Sequence, residues 1–568
     1  MRQTWQRTGR SGSTIGRRRC SAEQRVPGAA GSAGASRAGA ALSRCVPGIP
    51  AAGILRESFT QEGGFGPLTE DTYFLERAWF TAWQATVSAG LTLVLALPVA
   101  YVLACYEFRG KAALEALITV PFVLPTIVVA VAFTALLGPQ GVVNGALQAV
   151  FNLDEPPVRL LNTLWAILIA HVFYNVALAA RIISVSWARL DTRLEDAAAM
   201  LGAGKGTAFL RVTLPLLRTP ILAAASLVFL FCFTSFGVVL ILGGPQYGTL
   251  ETEIYRETLF LFRLPVAATL AIVQLIATFG AMWVNAALQR QTAQPGAMRR
   301  RSLAWTTGRR LTVAAIVSTI AVVTIVPLVA LAERSVHGDA GYTLESYRRL
   351  DDNVRQQVLF VAPITAVRNS VSFALLTMLV ALPLGTLAAH GAVRLRSSLA
   401  EAVVQLPLGV SGVTLGLGFL ITFNRPPLDL RGSPAMVVIA HTLVAMPFVA
   451  RTVAAQLRSL DPRLREAAAM LGASPLRAFV AIDLPLTWRS MLAGGVFAFA
   501  ISMGEFGATL LIARPEYPTI PLAIFRYLGQ PGAVNYGQAL AMATILMAVT
   551  AAGFFIIDRL RYREYGGF

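Results

Sequence analysis

Acidic side chains are scarce in this chain of 568 residues: it carries 30 Asp and Glu against 48 Lys and Arg, and only 14% of its residues are charged at all. A soluble globular domain averages about 25% charged residues, so that class is excluded. Imidazole and thiol are scarcer still, at four residues each. Cys20, Cys45, Cys105 and Cys232 have neither a disulfide framework nor a metal-ligand spacing, and the imidazoles are limited to His171, His337, His390 and His441. No His-Glu-x-x-His and no Gly-x-Ser-x-Gly occurs. The string GAGKGT at Gly202 to Thr207 imitates a phosphate loop, but Gly206 follows Lys205 where Ser or Thr is required, and no apolar strand precedes it. No catalytic residue, metal site or cofactor is therefore expected, and the chain is read as something other than an enzyme.

What the chain has instead is apolar length. Its residues are 55% hydrophobic, with a mean hydropathy of +0.62. Runs long enough to cross a bilayer, about 20 residues, lie near 78–106, 115–137, 162–187, 219–243 and 264–289, and again near 311–332, 366–391, 400–423, 434–456, 487–513 and 537–557. Eleven spans make an all-α polytopic membrane protein. The net charge of +18 then needs no nucleic-acid partner, because the arginines cluster in loops between spans; the large surface partner is membrane lipid.

The chain is also duplicated. Leu190 to Pro215, LDTRLEDAAAMLGAGKGTAFLRVTLP, returns as Leu460 to Pro485, LDPRLREAAAMLGASPLRAFVAIDLP, and His171 with His441 and Arg181 with Arg451 keep the same offset of 270. Such a repeat decides the architecture before any local pattern does. Within each island, apolar residues such as Leu194, Ala197, Ala198 and Leu201 recur at helical spacing, giving an amphipathic helix with a small-residue face. Gly202 and Gly472 stand where a left-handed residue ends a helix, and Pro215 and Pro485 open the next apolar segment. Loops on the islands' side of the membrane hold 22 basic residues against 11 on the other, which places both islands in the cytoplasm. The halves are then parallel bundles related by an axis along the membrane normal, the kind of repeat that encloses a substrate path.

The acidic-Ala-Ala, Gly, Leu-Pro pattern resembles the signature loop of inner-membrane permease subunits of binding-protein-dependent ABC importers. The second copy matches it with Glu466, Ala467, Ala468, Gly472 and Pro485; the first has Asp196 for the usual glutamate, followed by Ala197, Ala198, Gly202 and Pro215. The resemblance covers roughly residues 78–560. It implies that both islands are coupling helices docked on an ATP-binding subunit present in two copies, that a soluble solute-binding protein delivers the cargo, and that the location is a bacterial inner membrane. The outer loops Gly243 to Arg256 and Ala513 to Arg526 correspond residue by residue and would meet the two lobes of that binding protein. SFGVVLILGG before the first loop is similar to fused permeases for thiamine and, more loosely, for iron(III). GEFGAT in the second half resembles sulfate and molybdate permeases. Thiamine is the expected cargo, with iron(III) or another small ion (sulfate, molybdate, polyamine) as the alternative. A stand-alone secondary transporter is the competing class.

Polar residues inside spans are the candidate path residues. Glu505 stands where the first half has Ser235, so a carboxylate occurs on one side only; His171 and His441 lie deep in matching spans and are expected to pack at the interface of the halves, and Asn175 and Gln274 are similar, weaker candidates. Domain limits fall at 1–55, an extension expected to be disordered or misread; 56–290, the first half; 291–310, a basic cytoplasmic linker; 311–560, the second half; and 561–568, a tail. Residues 1–50 hold nine arginines and one acid, Glu23, too little apolar surface to fold. Pro50 to Phe59 nonetheless parallels Pro327 to Val336, which closes the span 311–332, so a first span is expected to be missing from the first half, lost or misread.

Overall fold

The computed structural model describes residues 50–59, 72–292, 306–338, 341–352, 358–395, 403–424, 429–430 and 432–565. The expectation for residues 1–49 lies outside them. Two matching series of helices carry the architecture. The first is α1 (50–58), α2 (Thr72–Cys105), α3 (Lys111–Val123), α4 (Thr126–Leu137), α5 (Leu164–Trp187), α6 (Thr192–Met200), α7 (Leu214–Phe233), α8 (Phe236–Val238), α9 (Leu250–Leu259) and α10 (Leu264–Thr292). The second is α11 (Thr307–Val336), α12 (Pro363–Leu395), α13 (Gly412–Thr422), α14 (Ala435–Ser459), α15 (Pro462–Met470), α16 (Leu484–Gly504), α17 (Gly507–Ile512), α18 (Ile520–Leu528) and α19 (Ala533–Tyr565). A two-residue hairpin pairs His337 with Tyr342.

Among the described residues ten helices are long and apolar enough to cross a membrane, and Gly412–Thr422 is a shorter apolar helix. All eleven expected runs are therefore present as helix, but four are broken. The run 115–137 divides at Leu124, whose ψ of 140° is extended, because the residue before Pro125 is pushed out of the helical region. The run 400–423 divides likewise at Val410 and Ser411, both extended. The runs 219–243 and 487–513 break at Ser235 and Glu505. Hydropathy is blind to such breaks, since neither side turns polar for long.

Small residues set the close spacing of the helices, as expected where apolar association in lipid depends on contact. Gly385 of α12 and Gly494 of α16 both face Val449 of α14; a Cβ at Gly385 would lie 2.7 Å from the Val449 Cβ. Ala96, Ala100, Ala179, Ala180 and Ala224 are fully buried at the matching contacts among α2, α5 and α7.

The halves are interlocked. α11 belongs to the second half by sequence but packs on α4 of the first. Reciprocally, α1 packs on α13: a Cβ at Gly418 would meet Pro50 at 2.8 Å. Ile54 and Leu331 are both buried, and Ser58 and Ser335 are both buried and hydrogen-bond the carbonyls three residues back, at 2.8 and 2.7 Å. Residues 50–58 thus stand where the last turns of a spanning helix stand in the other half. Helix α1 also crosses the limit expected at residue 55, and α19 continues past 560 to Tyr565.

Candidate functional site: two exposed islands and a convergence of helix breaks

Each island folds as sequence chemistry dictates. Asp191 and Asp461 cap α6 and α15, their carboxylates accepting from the Arg193 and Arg463 amides at 3.0 and 2.9 Å. Gly202 (φ +81°) and Gly472 (φ +78°) end the helices in the left-handed region. The amides of Ala203 and Ala473 then reach back to Ala198 and Ala468, each at 3.0 Å, the six-residue closure of a Schellman end. In each copy a short helix and a π-turn follow, Phe209–Thr213 and Phe479–Asp483, running into Pro215 and Pro485. A proline offers no amide and its ring crowds the carbonyl four residues back, so the wider turn relieves both problems.

The apolar face of these helices turns outward. Met200, Leu201, Met470 and Leu471 are 88–89% exposed, and Leu194 and Leu464 nearly half. Asp196, Ala197, Gly202, Pro215, Glu466, Ala467, Gly472 and Pro485 are exposed as well, while Ala198 and Ala468 are half-buried. The opposite face is tied to the bundle. Glu195 accepts from the Thr213 hydroxyl at 2.6 Å; at the matching positions Arg465 donates to Asp483 at 2.8 Å, and His390 Nδ1 stands 3.4 Å from the other Asp483 oxygen. The tie recurs in both halves with its chemistry changed.

At the other end of α7 and α16 the four helix breaks meet. A Cβ at Gly504 would lie 2.8 Å from Pro125, one at Gly237 2.7 Å from the Thr126 hydroxyl, and one at Gly412 2.5 Å from Glu505 Oε1. Glu505 is not within a helix, as its apolar surroundings suggested, but at the break, where Oε1 accepts from the Ala508 amide and Oε2 from the Thr509 amide, both at 3.0 Å. Its counterpart Ser235 opens α8 and is buried.

His171 and His441 are fully buried, but each lies within its own bundle rather than between the halves. His171 faces Ser88 of α2 at 2.9 Å. His441 is held by Ser502 at 2.7 Å and Thr509 at 2.8 Å, with Glu505 at 3.5 Å. Asn175 bonds the His171 carbonyl and Cys232.

Gln274 reaches a residue that sequence reasoning passed over, because it sits in an outer loop. Glu251 of α9 is buried, accepts from Gln274, and lies beside Ser411 at the start of α13. Burial pushes its carboxyl up to about 8; Ser411 and Gln274 oppose the shift and Glu505 adds to it. Four rings were missed too. Phe236 stacks on Phe506 with centroids 5.4 Å apart, and Tyr255 meets Phe525 at 6.5 Å. Both pairs keep the offset of 270, a signal the repeat already offered. A cavity of about 770 Å³ lies elsewhere, against α2, α4, α5 and α11, lined by apolar residues such as Leu95, Phe133, Trp165 and Ile320.

Comparison with known proteins agrees with the duplicated layout. The family described as binding-protein-dependent transport system inner membrane component matches twice, at residues 96–257 and 381–563. The thiamine transport system permease protein ThiP of Salmonella typhimurium is 27% identical over 517 residues, covering 88% of this chain and 92% of its own. ThiP of Escherichia coli is 26% identical over 87% and 90%. The molybdenum transport system permease protein ModB of Haemophilus influenzae is 34% identical over 203 residues, 33% of this chain and 89% of its own.

Proposed function

We propose, from the premise that this chain belongs to the family of binding-protein-dependent transport system inner membrane components, that it forms by itself both halves of the translocation path of an ATP-driven thiamine importer in a bacterial inner membrane. It is a transport subunit and not an enzyme. The carrying observation is the pair of matched islands, whose apolar ends Met200, Leu201, Met470 and Leu471 are exposed although each helix is capped, closed and tied to its bundle. A helix end so ordered and so bare is built for a partner, and two copies in matching positions suit two copies of one ATP-binding subunit. The outer loops, with α9 and α18, would receive the solute-binding protein. Thiamine as cargo is supported by the ThiP relatives and by the residue types at the helix breaks, since Glu251 and Glu505 bring acidic side chains and not a basic one to the place where an oxyanion such as molybdate would need a cation.

The test is to tag the chain, extract it gently from its native membrane, and identify what accompanies it. An ATP-binding subunit and a thiamine-loaded binding protein are expected, with the ATPase lost from Met200→Glu combined with Met470→Glu. A chain that purifies alone and carries solute without ATP would return the secondary-transporter reading to the front.

A further inference from the structure

The four rings at the helix breaks have a symmetry that ordinary packing does not require. Phe236 and Phe506 are equivalent residues of the two halves, and so are Tyr255 and Phe525, yet each residue touches its own equivalent. Only residues on the pseudo-two-fold axis can do this, and that axis is where two parallel repeats enclose a path. Phe236 also meets Tyr255 at 5.6 Å and Phe506 meets Phe525 at 5.5 Å, so the four close into one cluster. Interplanar angles of 28°, 58°, 69° and 80° make one stacked, one tilted and two edge-to-face contacts, so in this arrangement the rings use faces as well as edges on one another. Helices α9 and α18, which carry Tyr255 and Phe525, pack reciprocally on α13 and α4, across the halves.

Next to the rings lie two acidic residues, one of which the packing leaves incomplete. Glu251, four residues from Tyr255, is 1% exposed, and its Oε2 accepts no hydrogen bond from any described residue. Glu505 adjoins Phe506. Arg526, half-buried, follows Phe525 in the chain and is within electrostatic reach of Tyr255. Aromatic faces attract cations, and more strongly once water is excluded; the unpaired oxygen of Glu251 one layer behind adds a hydrogen-bond acceptor.

We infer that Phe236, Tyr255, Phe506 and Phe525, backed by the free oxygen of Glu251, form the cation-recognising element of the path: closed, the rings seal it on the axis, and parted, their faces hold a positively charged organic ring as it passes. The inference rests on the permease reading above and adds the site and the chemistry of selection. Aromatic rings also explain how a path lined by few charges passes a charged cargo, since the ring quadrupole supplies the attraction without a fixed countercharge.

The experiment uses the native complex of this chain with its co-purified ATPase and binding protein in proteoliposomes, and measures uptake of radiolabelled thiamine beside molybdate. Trifluorophenylalanine is introduced at Phe506 and at Phe525, which keeps ring shape while withdrawing electron density from the ring face. Thiamine uptake is expected to fall by about threefold to thirtyfold with ATP hydrolysis and complex assembly intact, and Glu251→Leu, which removes the acceptor oxygens, is expected to lower it further. Full uptake by both fluorinated proteins would overturn the inference and leave the permease reading standing. Wild-type uptake of molybdate and not of thiamine would overturn both. Should Phe506 variants fail to assemble, the Phe525 variant, whose ring is less buried, decides alone.

Discussion

At Gly472 the backbone, and not the space around it, fixes the residue. Its φ is +78° and a Cβ there would meet nothing within 4 Å, so a side chain fits but its backbone is strained, by about 1–2 kcal/mol. Gly472→Ala is expected to loosen the end of α15 and lower uptake modestly. Gly472→Arg adds bulk at the docking face, so its uptake should vanish while membrane insertion, read by protease protection, stays normal. Normal uptake by the arginine variant would refute a docking role for this turn. Glu251 makes a different kind of prediction. Its carboxyl, ordinarily near 4.5, sits near 8 in the folded chain, so between those values the unfolded chain ionises and the folded one keeps its proton. Stability must then fall as pH rises through that window. Among the described residues the groups beside Glu251 are Gln274, Ser411 and Glu505, of which Glu505 is the one acid. Thermal denaturation in detergent should show Glu251→Gln flattening the slope between about pH 5 and 8; an unchanged slope would mean that Glu251 is solvated. Glycine at 472 was legible from its position after an apolar helical run. Glu251 was not, because a carboxylate in an outer loop is solvated unless the fold brings another half down upon it.

Among the elements, the π-turns show how an exposed helix can act on a buried bundle. Asp483 is the last residue of its turn, fully buried, and bonded to Arg465 of α15, so displacement of α15 is passed directly to the start of α16. The first half makes the same link with Glu195 and Thr213. Arg465→Ala leaves Asp483 with His390 as its remaining ion-pair neighbour among the described residues, and loss of a hydrogen bond to a charged group costs roughly 1.5–3 kcal/mol. ATP hydrolysis should persist while uptake per ATP falls. Replacing the pair by the first half's chemistry, Arg465→Glu with Asp483→Thr, is expected to recover more uptake than either single change, a coupling measurable by a double-mutant cycle. Strict additivity would show that the two residues do not act together. The islands were readable because polar residues stand out among apolar runs and because they occur twice. The breaks at Leu124, Ser235, Val410 and Glu505 were not, since a helix can stop and restart within an apolar run without changing its hydropathy. Only Pro125 announced one of them, and prolines such as Pro98 and Pro383 lie within unbroken helices.

For the whole molecule the decisive fact is that neither half is closed by its own chain. α11 covers α4 of the first half, α1 covers α13 of the second, and α9 and α18 exchange places over α13 and α4. The duplication foretold two bundles, and the likeness of Pro50–Phe59 to Pro327–Val336 foretold that their first helices correspond. Which bundle each helix would cover was invisible, because a lipid-facing apolar stripe fits either. The interlock makes the covalent connection between residues 292 and 306 secondary to packing, since each half brings the other a helix it lacks. Two polypeptides divided within that stretch and made together in one cell should therefore find each other, and a tag on one should recover the other in equal amount with thiamine uptake retained. A first polypeptide that also lacks residues 50–58 should be recovered less completely, because Ile54 and the close contact of Pro50 with Gly418 would be gone. Halves that insert but never co-purify would show that the connection, and not the exchange of helices, holds the molecule together.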